Sequence, residues 1–557
     1  MNMIGRKTVW LTTTLIVACF ANGCHRRART TGRPEELAPV AELGTTIGSL
    51  AEVVVLESIP VEGYGLVGGL NGTGSAECPP QIRTYLRQYI LTQLPERKLD
   101  IEEFINSPDT AVVRVEGMIP AAASQNQYFD VRVAALPGTQ TISLEDGWLY
   151  KAELQAKGTF GVSTRLIANA EGPIFIDKIG TPSTSLRAGP EPVEGTSSTP
   201  DTRLGYILAG GRVLEEYRIN LVFHRRDYRI ANLVRNRLDG RFGYGTAKAV
   251  SPSLIELKVP AKYKGQKQRF ASIVKAMYLD YGPESTEERI KTFVRKLAVS
   301  EDKYESEIAL EAIGNESLSK LSVLLNSSDE QVRLRAARCM LNLGSDRGLQ
   351  TLREIALDGA SANRLEALEA ITTAASRNDA AAISRKLLRD QDFDMRLAAY
   401  EQLRKLDDIT VTQRLVARSF YLEQIAQIEH PAIFVSRSGQ PRIVLFGAPI
   451  RCRDNIFVQS TDGNITINAP PGQEYVSIIR KHPRRPDVIL QAKSSFELVD
   501  IILTLCEEPL KKDKQAHHGL GISYADMIAL LKQMCDKGAA AAEFRAGPLP
   551  KILNSKF

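Results

Sequence analysis

GYGLVGGLNGTG, residues 63–74, is the stretch on which the reading of this 557-residue chain turns. Gly63, Gly65 and Gly68 satisfy G-x-G-x-x-G, the pattern of a dinucleotide-binding turn. That chemistry needs a helix to start at the glycines, so that its N-terminus faces the pyrophosphate. Asn71-Gly72, Gly74 and Pro79-Pro80 break the chain directly afterwards, and no lysine follows to make a phosphate-binding loop. Upstream, Glu52 to Ser58 (EVVVLES) is rich in β-branched residues and reads as a strand running into the glycines. The segment is therefore backbone that needs positive φ at several points and the close approach of a neighbour.

Working outward, TAVVRVEGMIP (residues 110–120) and YFDVRVAAL (128–136) read as successive strands, with Phe129, Val131 and Val133 alternating in the second. Ile219, Leu221 and Phe223 alternate as another strand face. Ile230, Leu233, Val234 and Leu238 form a helical stripe, and Ile255, Leu257 and Val259 alternate again. A second stripe, Phe270, Ile273, Val274 and Met277, completes a two-layer α/β module in which strands and helices cover each other's apolar faces. Between these elements, residues 181–202 hold four prolines and almost no large apolar side chain, which predicts a flexible surface loop without chemistry.

From about Pro283 the composition shifts to Leu, Ala, Arg, Glu and Asp. DEQVRLRAARCMLNLGS (329–345), SANRLEALEAITTAAS (361–376) and DFDMRLAAYEQLRKLDD (392–408) align on Arg333-Leu334, Arg364-Leu365 and Arg396-Leu397, spaced by 31 and then 32 residues. That period suits helix-pair solenoids and is similar to HEAT-like repeats, which predicts an all-α stretch over 286–428. Near the end, Ser523 with Asp526 makes a capping box. Met527, Leu530, Leu531 and Met534 make a stripe, and Gly538 stops that helix.

Taken together, GYGLVGGLNGTG, the two strands after it with Asp130 at the family's I-D-V step, and Arg218 to Leu279 (RINLVFHRRDYRIANLVRNRLDGRFGYGTAKAVSPSLIELKVP at its start) resemble the flagellar P-ring protein family. PRIVLFGAPIRCRDNIFVQSTDGNITINAP (441–470) and the closing helix with its alanine-rich exit resemble that family's late segments. The resemblance covers about 45–285 and 430–547, interrupted by the helical repeats. It implies an α+β multidomain fold, a strand-rich core with small α/β modules, carrying an inserted all-α HEAT-like solenoid. It implies a structural subunit, not an enzyme, that forms a periplasmic ring as a bushing around the flagellar rod. Copies of the chain would pack closely, without cofactor, beside rod and outer-ring proteins. On this reading Gly63, Tyr64, Gly65, Gly68, Gly69, Asn71, Gly72 and Gly74 form an assembly motif. The junctions near 284 and 430 should lie close together, and removing 286–428 should leave a folded remainder. The alternative is an envelope lipoprotein outside any flagellum, using its HEAT-like surface as a scaffold for other proteins.

At the amino terminus, Arg6 and Lys7 precede the apolar run Val9 to Ala21, which is too short to span a bilayer and carries Thr12 to Thr14 in its middle. It ends in Ala21-Asn22-Gly23-Cys24. Residues 1–24 read as a lipoprotein-type signal peptide, with Cys24 as the lipidated first residue of an exported chain on a membrane. A net charge of +6 over this length is mild, and its dense basic patches, His25 to Arg29 and Lys481 to Arg485, read as solvated, so nucleic acid is not indicated. The cysteines at 78, 339, 452, 506 and 535 form no C-x-x-C pair, which argues against a zinc cluster. Cys506 and Cys535 are the pair nearest in sequence, but their connectivity stays open. Six histidines form no H-E-x-x-H and no G-x-S-x-G elbow exists, so no catalytic, cofactor or metal residue is nominated.

Overall fold

The computed structural model describes residues 43–54, 58–93, 101–158, 165–180, 201–216, 218–426, 428–482, 485–507 and 519–552. The predicted signal peptide with Cys24, and nearly all of the predicted loop 181–202, lie outside them. A one-turn helix, α1 (Ile47–Leu50), is capped by Thr46, whose hydroxyl accepts from the Ser49 N–H, and runs straight into β1 (Ala51–Val54).

The first half of the glycine-rich stretch, Gly63 to Gly68, lies in β2 (Ile59–Gly68). After it come α2 (Pro80–Gln93), α3 (Ile101–Ile105), β3 (Thr110–Ile119), β4 (Tyr128–Ala135), β5 (Trp148–Ala156), β6 (Ala168–Pro173) and β7 (Leu204–Val213). The six strands close into an antiparallel barrel in the order β2-β3-β4-β7-β6-β5. Its interior is filled by the inward residues of the alternating strands, among them Val113, Val115, Val131, Val133, Ala170 and Ile207. Outside the wall, α2 and α3 cover Leu66, Val112 and Leu136 with Leu86 and Ile105.

The predicted α/β module follows as β8 (Ile219–Phe223), α4 (Tyr228–Phe242), β9 (Ala247–Ser251), β10 (Leu254–Leu257) and α5 (Lys267–Ala276). Asp227 caps α4 by accepting from the N–H groups of Arg229 and Ile230. The strands form a sheet β1-β8-β10-β9, so β1 belongs to this layer and not to the barrel. Ile219, Leu221, Ile255 and Leu257 pack on Val234, Leu238, Phe270 and Val274, as their periodicity predicts.

Eight helices come next: α6 (Pro283–Val299), α7 (Tyr304–Ile313), α8 (Leu318–Leu324), α9 (Glu330–Asn342), α10 (Arg347–Leu357), α11 (Arg364–Ala374), α12 (Arg377–Leu387) and α13 (Phe393–Lys405). The repeated arginines each reach back to a carbonyl before their own helix. Arg333 donates to Ser327 O at 2.8 Å, Arg364 to Ala356 O at 3.2 Å and Arg396 to Asp390 O at 3.0 Å. The helices stop at Lys405, short of the predicted end at 428. The remaining residues form β11 (Thr412–Val416) and β12 (Phe420–Ala426), because Phe420, Leu422 and Ile425 find a buried face in the next sheet.

The last part holds β13 (Ala432–Val435), β14 (Arg442–Ala448), β15 (Ile456–Gln459), β16 (Ile465–Ala469), β17 (Val476–His482), β18 (Arg485–Ser494), α14 (Leu498–Cys506), α15 (Tyr524–Asp536) and β19 (Glu543–Ala546). One sheet is mixed, β11-β12-β14-β13-β19, with β12 parallel to β14; the other is the antiparallel meander β15-β16-β17-β18. Helix α15 is the predicted closing helix. Ser523 caps it with Asp526 as the reciprocal partner, Met527, Leu530, Leu531 and Met534 are buried, and Gly538 follows at φ +69°.

Candidate assembly segment

Within β2 the side chains alternate, so Gly63 and Gly65 face the barrel interior while Tyr64 and Leu66 lie outside under α2 and α3. The seam with β5 is irregular. Glu62 pairs with Gln155 and Val67 with Leu149, with a register shift between them. Gly63 shows why. A β-carbon there would sit 2.1 Å from the carbonyl oxygen of Glu153, so β5 can cross this part of β2 only where no side chain stands. At Gly65 the added atom would meet Leu149 and Ala152 at 2.8 and 3.0 Å, and at Gly68 the ring of Tyr150 at 2.8 Å. At Gly74 the added atom would meet backbone again, 2.1 Å from Thr110 O.

Gly69, Asn71 and Gly72 differ from these, because they are exposed and adopt φ of +83°, +50° and +88° in the turn that leaves the barrel. Both halves of the sequence reading, left-handed backbone and close approach, are therefore present in one segment at different residues. The close neighbours are β5, β3 and the turn before β3, all of the same chain.

Four residues tie the barrel to the C-terminal sheets. Asp130 in β4 accepts from Ala209 N–H at 2.7 Å and from Gly439 N–H at 2.9 Å. Ala209 stands at φ +51° at an irregular step of the β4–β7 pairing. Burial pushes the Asp130 carboxyl above the usual aspartate range, against the pull of those two N–H groups. Lys178 bridges Glu145 and Asp526, and burial pulls its ammonium down less than the two carboxylates hold it up. Arg437 donates to Gly547 O at 2.7 Å and to Asp177 at 2.9 Å. Tyr524, buried, shares its one hydroxyl proton between the carbonyls of Ser436 and Arg442, accepts from the Arg442 N–H, and packs its ring on Phe175 and Phe420. Of these only Asp130 and Asp526 stood out in the sequence. Lys178 and Arg437 have no local pattern, because their partners lie between 33 and 348 residues away.

Among the described residues, no group of three or more His, Cys, Asp or Glu could hold a metal ion, and no helix is long and apolar enough to cross a membrane.

Residues 46–291 match the family model described as Flagellar P-ring protein. The flagellar P-ring protein of Rhodopseudomonas palustris (strain BisB5) is 27% identical over 257 residues, which is 44% of this chain and 63% of that one. That of Nitrosomonas europaea is 29% identical over 227 residues, 38% of this chain and 55% of its own. The chain spans less than two thirds of the length of these curated relatives. A solved structure of an engineered protein, 19% identical and covering 26% of this chain and 76% of its own, has a TM-score of 0.17, too low to bear on the fold. The matched residues hold the barrel, the α/β layer and the first turns of α6, and everything beyond lies outside the family model.

Proposed function

We propose that this chain is a structural subunit of the flagellar P-ring type, one of many copies that close a periplasmic ring around the rod of a basal body. The observation that carries the reading is the match over residues 46–291, which takes in an entire closed barrel and an entire α/β layer. Such units suit a bushing, because a closed barrel leaves no sheet edge of its own open and resists deformation as a body. The chain would work through contacts with copies of itself and with rod and outer-ring proteins, without catalysis or cofactor, the eight residues of the glycine-rich segment contributing to assembly. We take 45–285 and 430–547 as P-ring-like, with a HEAT-like insertion between them. The placement of the aligned Arg-Leu pairs on α9, α11 and α13, every second helix, supports a two-helix repeat. Cys24, outside the described residues, would carry lipid and hold the chain on a membrane facing the periplasm.

The test is to image basal bodies from cells lacking this chain and from cells in which it is restored. Loss of the ring on deletion and its return with the full chain is the expected result. An intact ring in the deletion strain, with the chain found on membranes away from flagella, would favour the lipoprotein scaffold instead.

A further inference from the structure

The mixed sheet β11-β12-β14-β13-β19 ends in two strands, and among the described residues no strand lies beyond either of them. Glu543, Arg545 and Ala546 of β19 are exposed, and so are the first four residues of β11, Thr412 to Leu415. Every second residue of an edge strand turns its N–H and C=O away from the sheet, so each edge is a row of donors and acceptors that another strand can use.

The two faces of this sheet differ. Phe434 of β13 and Val444 of β14 share a core with the helical run, whereas Val435 and Ile443 belong to the core around α14 and α15. Register carries this assignment out to the edges. Arg545 pairs with Phe434, so it lies on the helix face, where its guanidinium stands over the ring of Phe393 in α13. Val416 pairs with Phe420, which faces the opposite core. Leu415, one residue before Val416, therefore lies on the helix face, and it is 51% exposed.

On that same face, beside β19, an open groove of about 530 Å³ runs between the strand and the helices α11 and α13. Its apolar wall is Leu365, Phe393 and Leu397, and Leu365 is also 51% exposed. One edge of the sheet thus presents a half-exposed leucine, and the other edge an apolar groove, on the same side of one sheet. The strand directions agree as well. β11 is antiparallel to β12, β12 is parallel to β14, β14 is antiparallel to β13 and β13 is parallel to β19, so β11 and β19 run the same way. A second copy brought alongside by a translation and a small turn sets its β11 parallel to β19, with its Leu415 over the groove.

We propose that copies of this chain join head to tail by adding β11 of one to β19 of the next, with Leu415 entering the groove of Leu365, Phe393 and Leu397. Main-chain hydrogen bonds hold the two strands, and the leucine in its groove sets their register. A contact between two different surfaces of identical subunits closes into a ring when its rotation divides the circle, and runs on as a filament when it does not. The inference rests on the ring-subunit reading for its occupant, a second copy, and it places the joint in residues beyond the family match.

The experiment follows self-association of the full chain by sedimentation over a range of concentrations, and wild type should form higher-order species. Leu415→Asp and Leu365→Asp each change a half-exposed side chain, so both should fold, with thermal midpoints within a few degrees of wild type. Each should weaken association by about tenfold or more, because it puts an unpaired charge into the contact. A chain carrying both Leu415→Cys and Leu397→Cys, treated with a short bis-maleimide, should give a ladder of dimer, trimer and longer species. Wild type, with its own cysteines, and each single variant should not. Wild type that stays monomeric at every concentration, or variants that associate as it does, overturns the contact. Cross-linking by Leu415→Cys alone, which a β11-to-β11 dimer requires, overturns it too. A basal-body ring built normally from the Leu415→Asp chain also overturns the contact but leaves the ring-subunit reading intact, so the two failures are told apart.

Discussion

At Gly63 the missing side chain is what lets β5 lie across β2, and the contact it avoids is with backbone, which cannot swing aside. Gly63→Ala is therefore expected to destabilise the protein by about 2 kcal/mol or more, the range of an overpacked interior. Gly68→Ala meets only the outer end of the Tyr150 ring and should cost about 1 kcal/mol or less. Chemical denaturation of both variants checks the ordering, and equal losses would mean that β5 is not held against β2 as described. Asp130 makes a different demand, since its carboxylate satisfies two backbone N–H groups from distant parts of the chain. Asp130→Ala leaves both unpaired and should cost about 2–4 kcal/mol, whereas Asp130→Asn keeps an acceptor oxygen and should cost about 1 kcal/mol or less. The pH dependence follows from the raised carboxyl. The folded state holds its proton more tightly than the unfolded chain, so this group favours folding below the ordinary aspartate value near pH 4. That contribution is lost as pH rises through the raised folded value. Wild type should therefore lose stability relative to Asp130→Asn as pH rises from about 4, and a flat difference would refute the buried carboxyl. The need for glycine at these positions could be read from sequence, as could the absence of a nucleotide turn. The neighbour that imposes the need could not, because β5 lies some 80 residues further on and its pairing with β2 is irregular.

At the scale of elements, alternation and helical stripes placed the α/β layer and the capped closing helix correctly, since each is specified by residues within a few positions of one another. The boundary of the helical run was lost for the same reason. Composition favours helix over most of 286–428 but not over its β-branched end, where β11 pairs with β12 and β12 with β14. Those helices are also less separable than a lone solenoid would be. Helix α7 supplies Glu307 and Glu311 to the buried Arg269, and α13 supplies Tyr400 and Arg404 to the buried Glu423 of β12. Side chains of the run share one core with Phe434 and Phe446 of the C-terminal sheet. Deleting 286–428 removes β11 and β12, takes both carboxylates from Arg269 and exposes apolar side chains that α7 and α13 now cover. We expect an insoluble or non-cooperatively melting remainder, and a soluble product with a sharp transition would restore the picture of a removable insertion. The cysteines give a similar contrast. Cys506 is nearest to Cys535 in sequence, but Cys535 acts on Cys452, whose thiol is pushed up to about 12, first by burial and then by that neighbour.

For the whole molecule, the ties made by Asp130, Lys178, Arg437 and Tyr524 join the two stretches that flank the helices into one body, with Phe175 and Leu208 of the first stretch inside the core of the second. None of this was legible beforehand, because periodicity reports which face of an element is buried and not which element buries it. A subunit so joined would assemble with little internal adjustment, so its contacts must already be on the surface. Of the eight residues assigned to assembly, Gly63, Gly65, Gly68 and Gly74 are used in closing and bracing the barrel, and Tyr64 lies partly covered beneath α2. Only the turn of Gly69, Asn71 and Gly72 is open to another copy. Asn71→Arg separates the two roles. Asn71 stands at φ +50° in solvent, so the replacement should cost about 1 kcal/mol in backbone preference and leave the barrel folded. In a ring every joint uses the same surface, so a bulky charge at this turn would be desolvated at each of them and the penalty repeated around the circle. Sedimentation and electron microscopy should therefore show closed higher-order species for the wild type and monomer for Asn71→Arg, with thermal midpoints within a few degrees of each other. If Asn71→Arg assembles as the wild type does, the glycine-rich segment acts through the barrel alone and the contact between copies lies elsewhere on the surface.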